Sequence, residues 1–276
     1  MKLYKRIVLA MLCVCIVATL AAFSVNRQSS ALKEVHSANE GAKGVPLPIL
    51  MYHTVCPGYN QRYIISPAAL EKDLQYIKES GYTAITVADL IAYKENDVPL
   101  PEKPIMLTFD DGNRTNFIYV FPLLQKYNLK AVFSVVGAYV ESPEKNSSVT
   151  YEQIIQMRES GLVEIQNHSY DCHKIGKRNG MKPRGSESFE DYEKFISTDL
   201  QRFEDNMEKN AGFRCFAVTY PFGAFTKDTV TVLQNLGYKA SLICTEGVNY
   251  INKNTNLYYL KRYNRDHKRD AETLLR

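Results

Sequence analysis

From residue 45 onward, short apolar runs alternate with stretches of helical pattern, and this alternation restricts the folds open to the chain. Residues 48–52 (PILMY), 83–87, 104–109 (PIMLTF), 131–136 (AVFSVV), 162–165, 215–219, 240–243 and 257–260 have strand character. Helical patterns lie between them at 88–94, 116–127, 150–160, 188–210 and 226–236. A further helix carries its own punctuation: Ser66 as N-cap, Pro67 at the first position, apolar Leu70, Leu74 and Ile77, and Gly81 as the stop. Strands separated by helices imply a parallel sheet. Seven or eight of them suggest closure or near-closure into a barrel, with a doubly wound open sheet as the alternative.

Ahead of this region, Lys2, Lys5 and Arg6 precede residues 7–23, an apolar run in which only Thr19 is clearly polar. A basic flank before such a run marks a secretory signal or a signal anchor. As a helix the run spans roughly 25 Å, a little short of a bilayer core of about 30 Å. The expectation is an uncleaved anchor with its basic end in the cytoplasm, cleavage being the alternative. Residues 25–44 are polar and small, the composition of a tether. The chain therefore divides into a signal peptide or membrane anchor (1–24), a flexible linker (25–44) and a single catalytic domain (45–276) on the extracellular face, anchored or secreted. A net charge of +4 over 276 residues and the lack of a glycine-rich phosphate cradle argue against nucleic-acid and nucleotide partners. Cys56, Cys172, Cys215 and Cys244 admit one or two disulfides in an oxidising compartment, or buried free thiols.

A barrel of this kind builds its site at the carboxyl ends of its strands. The residues that follow the apolar runs are His53, then Asp110-Asp111-Gly112, then His168, then Tyr220-Pro221-Phe222-Gly223. Adjacent residues leaving a strand point to opposite sides, so one of Asp110 and Asp111 can bind a metal while the other faces a substrate. In isolation the pair would be an ordinary Asp-Gly turn; histidines at other strand ends reverse that preference. The five-residue spacing of His168 and His173 is poor for one helical face and suits a loop that curls back. Two imidazoles and one carboxylate make an open-sided set for catalytic Zn²⁺ or a similar divalent ion. Cys172 is a competing ligand, and Asp171 a candidate to orient one. Tyr170 and Tyr220 are placed to touch sugar faces.

TFDDG at 108–112, H-S-x-x-x-H beginning at 168 and YPFG at 220–223 together resemble the polysaccharide deacetylases with a NodB-type domain, carbohydrate esterase family 4. ILMYH at 49–53 and the His spacing are most similar to the extracellular poly-N-acetylglucosamine deacetylases of that family. The resemblance spans roughly residues 45–265 and implies a distorted (β/α)7-type barrel. It also implies a metal-dependent hydrolase that removes N-acetyl groups from a polysaccharide such as poly-GlcNAc, peptidoglycan or a chitin-like polymer. Asp111, His168 and His173 would hold the metal, Zn²⁺ or else Co²⁺ or Ni²⁺. Asp110 would be the general base, Phe222 would offer its backbone N–H to the oxyanion, and Ser169 would shape the ligand loop. His53, Tyr170, Tyr220, Pro221 and Arg262 are the candidate substrate contacts. Thr219 stands where many members carry an Arg, the chain has no Trp, and no late Leu-x-His segment supplies an acid. His267 has the basic, polar surroundings of a solvated tail. The leaving-group proton donor is thus unassigned, and two other readings stay open: an O-acetyl esterase on xylan or another glycan, and a glycan-binding protein of the same fold.

Overall fold

The computed structural model describes residues 44–59 and 61–276. The expected anchor, and the linker up to residue 43, lie outside the described residues. Among the described residues the strands run in the order β1 Val45–Leu47, β2 Ile49–Tyr52, β3 Thr54–Val55, β4 Ile64–Ile65, β5 Thr83–Ala84, β6 Pro104–Phe109, β7 Ala131–Val135, β8 Val163–Asn167, β9 Ala217–Thr219, β10 Ala240–Leu242, β11 Asn249–Ile251 and β12 Tyr263–Asn264. The main sheet runs β10-β9-β8-β7-β6-β2-β12, with β5 beside the start of β6, and every pairing in it is parallel.

Helices cover one face of this curled parallel sheet, and their starts are written locally. Ser66 accepts from Ala69 N–H ahead of the helix Pro67–Glu79, and Thr86, Thr150 and Thr226 form capping boxes. The longest helix among the described residues, Phe189–Ala211, starts at Ser188 and stops at Gly212, whose φ of 76° suits the left-handed turn. The expected single helix at 116–127 is instead a π-turn, Asn116–Val120, leading into Phe121–Tyr127 with Pro122 in its first turn.

Both faces of the sheet are buried, and residue parity sorts them. Leu50, Tyr52, Leu107, Phe109, Phe133 and Ile165 pack outward with helix residues Leu70, Leu74, Leu124 and Met157. Tyr52, Phe109 and Phe133 form a ladder with ring centroids 4.9 and 5.0 Å apart. Ile49, Met106, Val132, Ala217 and Leu242 make a second cluster on the inner, concave face.

The segment 257–264 joins the two edges of the sheet. Its first half runs along β10, with Ser241 and Ile243 N–H donating to Leu257 and Leu260 carbonyls. Its end is β12, which pairs with β2. Residues 257–260 therefore form a single bridge (Leu242↔Leu260) where a full strand was expected.

Just beyond this seam, Arg265 makes a buried ion pair with Asp73 (2.6 and 3.2 Å), and Asp73 also accepts from Ala271 N–H at 3.0 Å. Removing one partner of such a pair strands a buried charge. Asp73→Ala is expected to lower the urea unfolding free energy by about 3–5 kcal/mol. A loss below about 1 kcal/mol would mean that other contacts dock the segment.

Candidate metal centre and active site

The inner face continues past the strand ends into the site. Asp110 keeps the parity of Met106 and Thr108, His168 that of Glu164 and Gln166, and His53 that of Ile49 and Met51. All three therefore meet above the concave side.

Asp110 is almost fully buried, and both of its oxygens are 2.8 Å from Arg262, one on each terminal guanidinium nitrogen. Arg262 completes its shell with the Ile243 carbonyl (3.0 Å) and the Thr108 hydroxyl (3.1 Å). Burial pushes the Asp110 carboxyl up, but Arg262, with help from His168, outweighs it and holds the pKa below the ordinary value. Asp110 is therefore ionised at neutral pH. The guanidinium engages two of its roughly four acceptor positions, leaving capacity for a further proton.

Asp111 turns away from the strand at φ 73°, followed by Gly112 at φ 74°. A Cβ on Gly112 would lie 3.0 Å from Val135 side-chain atoms, so the turn presses directly on β7. The turn brings Asp111 Oδ1 to 3.4 Å from His168 Nε2 and 3.1 Å from His173 Nε2. The three donor atoms lie within 4.8 Å of one another. His168 Nδ1 is 2.8 Å from the Thr219 carbonyl, which can only accept. Nδ1 thus carries the hydrogen and Nε2 presents its lone pair to the centre. Asp111 Oδ1 is itself buried and lacks a hydrogen-bond donor. A carboxylate oxygen and two imidazole nitrogens converging without donors fit a divalent cation, and the set matches Zn²⁺-type chemistry. Burial pushes Asp111 up and His168 down, and their mutual attraction overcomes both effects: the carboxyl falls well below its usual range and the imidazole rises.

Around this centre, Tyr139 Oη lies 3.4 Å from His173 Nδ1, and the exposed Phe222 ring lies 4.5 Å from the His173 ring. Phe222 has φ 59°, a costly value for a bulky residue. Gly223 and Ala224 N–H groups close that turn on the Tyr220 and Pro221 carbonyls, which leaves Phe222 N–H as the candidate oxyanion donor. His53 is half-buried, has no partner on Nδ1, and packs against the exposed Tyr63 at 4.8 Å between centroids. Burial lowers the His53 pKa, while Asp110 and Asp111 oppose that shift.

The structure thus gathers Asp110, Asp111, His168 and His173, with His53 and Phe222 at the rim. Four expected substrate contacts are elsewhere. Arg262 is wholly buried on Asp110. Tyr220 has outward parity and stacks on Phe225 beneath the helical layer, and Pro221 is buried beside it. Tyr170 turns its hydroxyl to Glu141 and is buried under Arg202. For Tyr170, Tyr220 and Pro221 the signal was nearness to a strand end, and for Arg262 the family resemblance; neither reports which face a side chain takes. Cys172 is buried with its thiol pKa pushed up by desolvation, and Asp171 pairs with Lys174 (2.6 Å) and orients no ligand. The four described cysteines are free thiols. Tyr139, Tyr63 and the Thr219 carbonyl were not foreseen; the two tyrosines stand in no motif, and position 219 drew notice for its side chain and not for its carbonyl.

The family described as polysaccharide deacetylase matches residues 97–241. The poly-beta-1,6-N-acetyl-D-glucosamine N-deacetylase of Staphylococcus aureus is 24% identical over 205 residues, covering 73% of this chain and 68% of that protein. Among solved structures, the Streptococcus pyogenes deacetylase PplD in complex with acetate has a TM-score of 0.70 at 25% identity, covering 84% of this chain and 97% of that one. IcaB from Ammonifex degensii has a TM-score of 0.69 at 25% identity, covering 80% and 92%.

In metal-free protein, ionised Asp110 adds its full stabilisation above about pH 4, the unfolded pKa, and loses it as pH falls through the depressed folded value. In Arg262→Met, burial of Asp110 is no longer offset by the guanidinium, and its folded pKa rises. The variant is then expected to unfold about 3–5 kcal/mol more easily near pH 7, with the gap to the parent narrowing toward about pH 5. A gap that stays constant over that span in urea titrations would show that Arg262 does not set the charge of Asp110.

Proposed function

The chain belongs to the polysaccharide deacetylase family, and we propose that it removes N-acetyl groups from an extracellular N-acetylglucosamine polymer with the help of a divalent ion. The observation that carries this reading is the meeting of Asp111, His168 and His173 beside a second, separately held carboxylate. Relatedness to poly-beta-1,6-N-acetyl-D-glucosamine N-deacetylases favours poly-GlcNAc as the polymer.

Asp111, His168 and His173 would hold the ion. When bound, it supplies Lewis acidity toward the acetyl carbonyl and acidifies the attacking water. Asp110, ionised and fixed by Arg262, takes the proton of that water. Its lowered pKa makes it a weak base, which suits a water already acidified. Phe222 N–H steadies the oxygen on which negative charge develops. His53 lies beside the cleft just after β2, and burial holds its pKa below the ordinary value, so it is neutral near pH 7; the proton that Asp110 takes from the water is the one available to the departing amine. The products are acetate and a free amine on the sugar. The basic-then-apolar start of the chain supports an extracellular placement, anchored or secreted.

Acetate release from N-acetylglucosamine oligomers is expected to fall by about 10²–10⁴ in Asp110→Asn. Undiminished release by Asp110→Asn would falsify the base assignment. Equal turnover of O-acetylated xylan would redirect the reading to an esterase. Dialysis against a chelator is expected to abolish release and added Zn²⁺ or Co²⁺ to restore it, while His168→Ala should retain no stoichiometric metal after gel filtration. Metal-independent turnover would remove the metal from the proposal.

A further inference from the structure

We infer that Asp199, on the helix Phe189–Ala211, is a positioning residue for the proposed metal centre: it templates the backbone of the loop that carries both histidines. This rests on the metal-site reading above.

Between His168 and His173 the chain follows neither helix nor strand, and Ser169 takes φ 68°. Backbone groups in such a stretch need acceptors from elsewhere. Four consecutive N–H groups find theirs on side chains. Ser169 N–H donates to Asn167 Oδ1 at 2.7 Å, Tyr170 N–H to Asp199 Oδ1 at 2.8 Å, Asp171 N–H to Asp199 Oδ2 at 2.8 Å, and Cys172 N–H to Ser169 Oγ at 3.0 Å. Asp199 is buried and takes two successive N–H groups on its two oxygens, a charge-assisted fork. One turn further along the same helix, Glu204 accepts from Asn167 Nδ2 at 3.0 Å and so orients the amide that holds Ser169. The opposite edge of the loop is held too: Gly137 and Ala138 N–H donate to the Ser169 and Tyr170 carbonyls at 3.0 and 2.8 Å.

The only covalent link between the two imidazole ligands is this loop. Asp199 touches neither ring, and it fixes the two peptide units midway between them. Displacement of those units moves His173 relative to Asp111 and to His168, which the Thr219 carbonyl holds at Nδ1. Asn at position 199 keeps the shape, but loses the charge and turns an NH₂ group toward one of the two N–H donors.

The test uses the full chain with Zn²⁺ and Co²⁺ as probes. Zn²⁺ affinity is measured by chelator competition, ligand geometry by the visible absorption of the Co²⁺-loaded protein, and folding by thermal unfolding of the metal-free form. Asp199→Asn is expected to bind Zn²⁺ about 10–100-fold more weakly, with an altered Co²⁺ spectrum and a cooperative metal-free transition. Asp205→Asn, exposed on the same helix, is the control and should match the parent. If Asp199→Asn does not fold, Asp199→Glu keeps the charge, overreaches the loop and is expected to show the same weakening. A folded variant whose Zn²⁺ affinity lies within about twofold of the parent, with an unchanged Co²⁺ spectrum, overturns the inference and leaves the metal centre standing. A parent chain that binds neither ion overturns both.

Discussion

The paired hydrogen bonds between Arg262 and Asp110 are the constraint on which the site depends. Arg262 sits in the segment that spans the two sheet edges, and its guanidinium reaches β10 through the Ile243 carbonyl and β6 through Thr108 and Asp110. An ion pair taken out of water repays its desolvation only when the donors and acceptors are well matched. Here the guanidinium Nε and both terminal nitrogens have partners within ordinary distance. Apolar residues of similar volume could hold such a seam as well. What they could not do is keep a carboxylate ionised and aimed at the cleft.

Most of the architecture was legible because burial on both faces of a parallel sheet writes continuous apolar runs, and PILMY, PIMLTF and AVFSVV are such runs. Caps at Ser66 and Thr150 were legible for a local reason as well, since a cap is satisfied within three residues. Of the centre, Asp111 and His168 stood out because each follows closely on a run that ends at the same rim, and His173 through its spacing from His168. The failures have separate causes. Arg262 and Asp110 are 152 positions apart, and no local pattern tells a guanidinium destined for the interior from one that meets solvent. Tyr220 is instructive in another way. The period of two that places Thr219 inward places Tyr220 outward, so parity held the answer where proximity to a strand end did not.

Three residues without the freedom of glycine, Asp111, Ser169 and Phe222, take left-handed backbone conformations, one in each loop that contributes to the centre. Conformations of that kind persist only where surrounding contacts over-determine them. Each has such contacts: the Gly112 carbonyl accepts from Val149 N–H and the Ser148 hydroxyl, Ser169 N–H is held by Asn167, and the Phe222 turn closes on Tyr220 and Pro221. Strain at the rim is thus matched by hydrogen bonds made within or close to each turn.

The seam also has a temporal side. Ribosomes deliver Asp110 long before Arg262, and every strand of the main sheet except β12 is synthesised ahead of the segment that bridges its edges. Until that bridge emerges, the nascent domain holds a carboxylate on its concave face without the guanidinium that makes burial tolerable. Assembly of the cleft therefore becomes a terminal event of biosynthesis. A chain released early would keep most of its apolar layers and yet lack a competent centre.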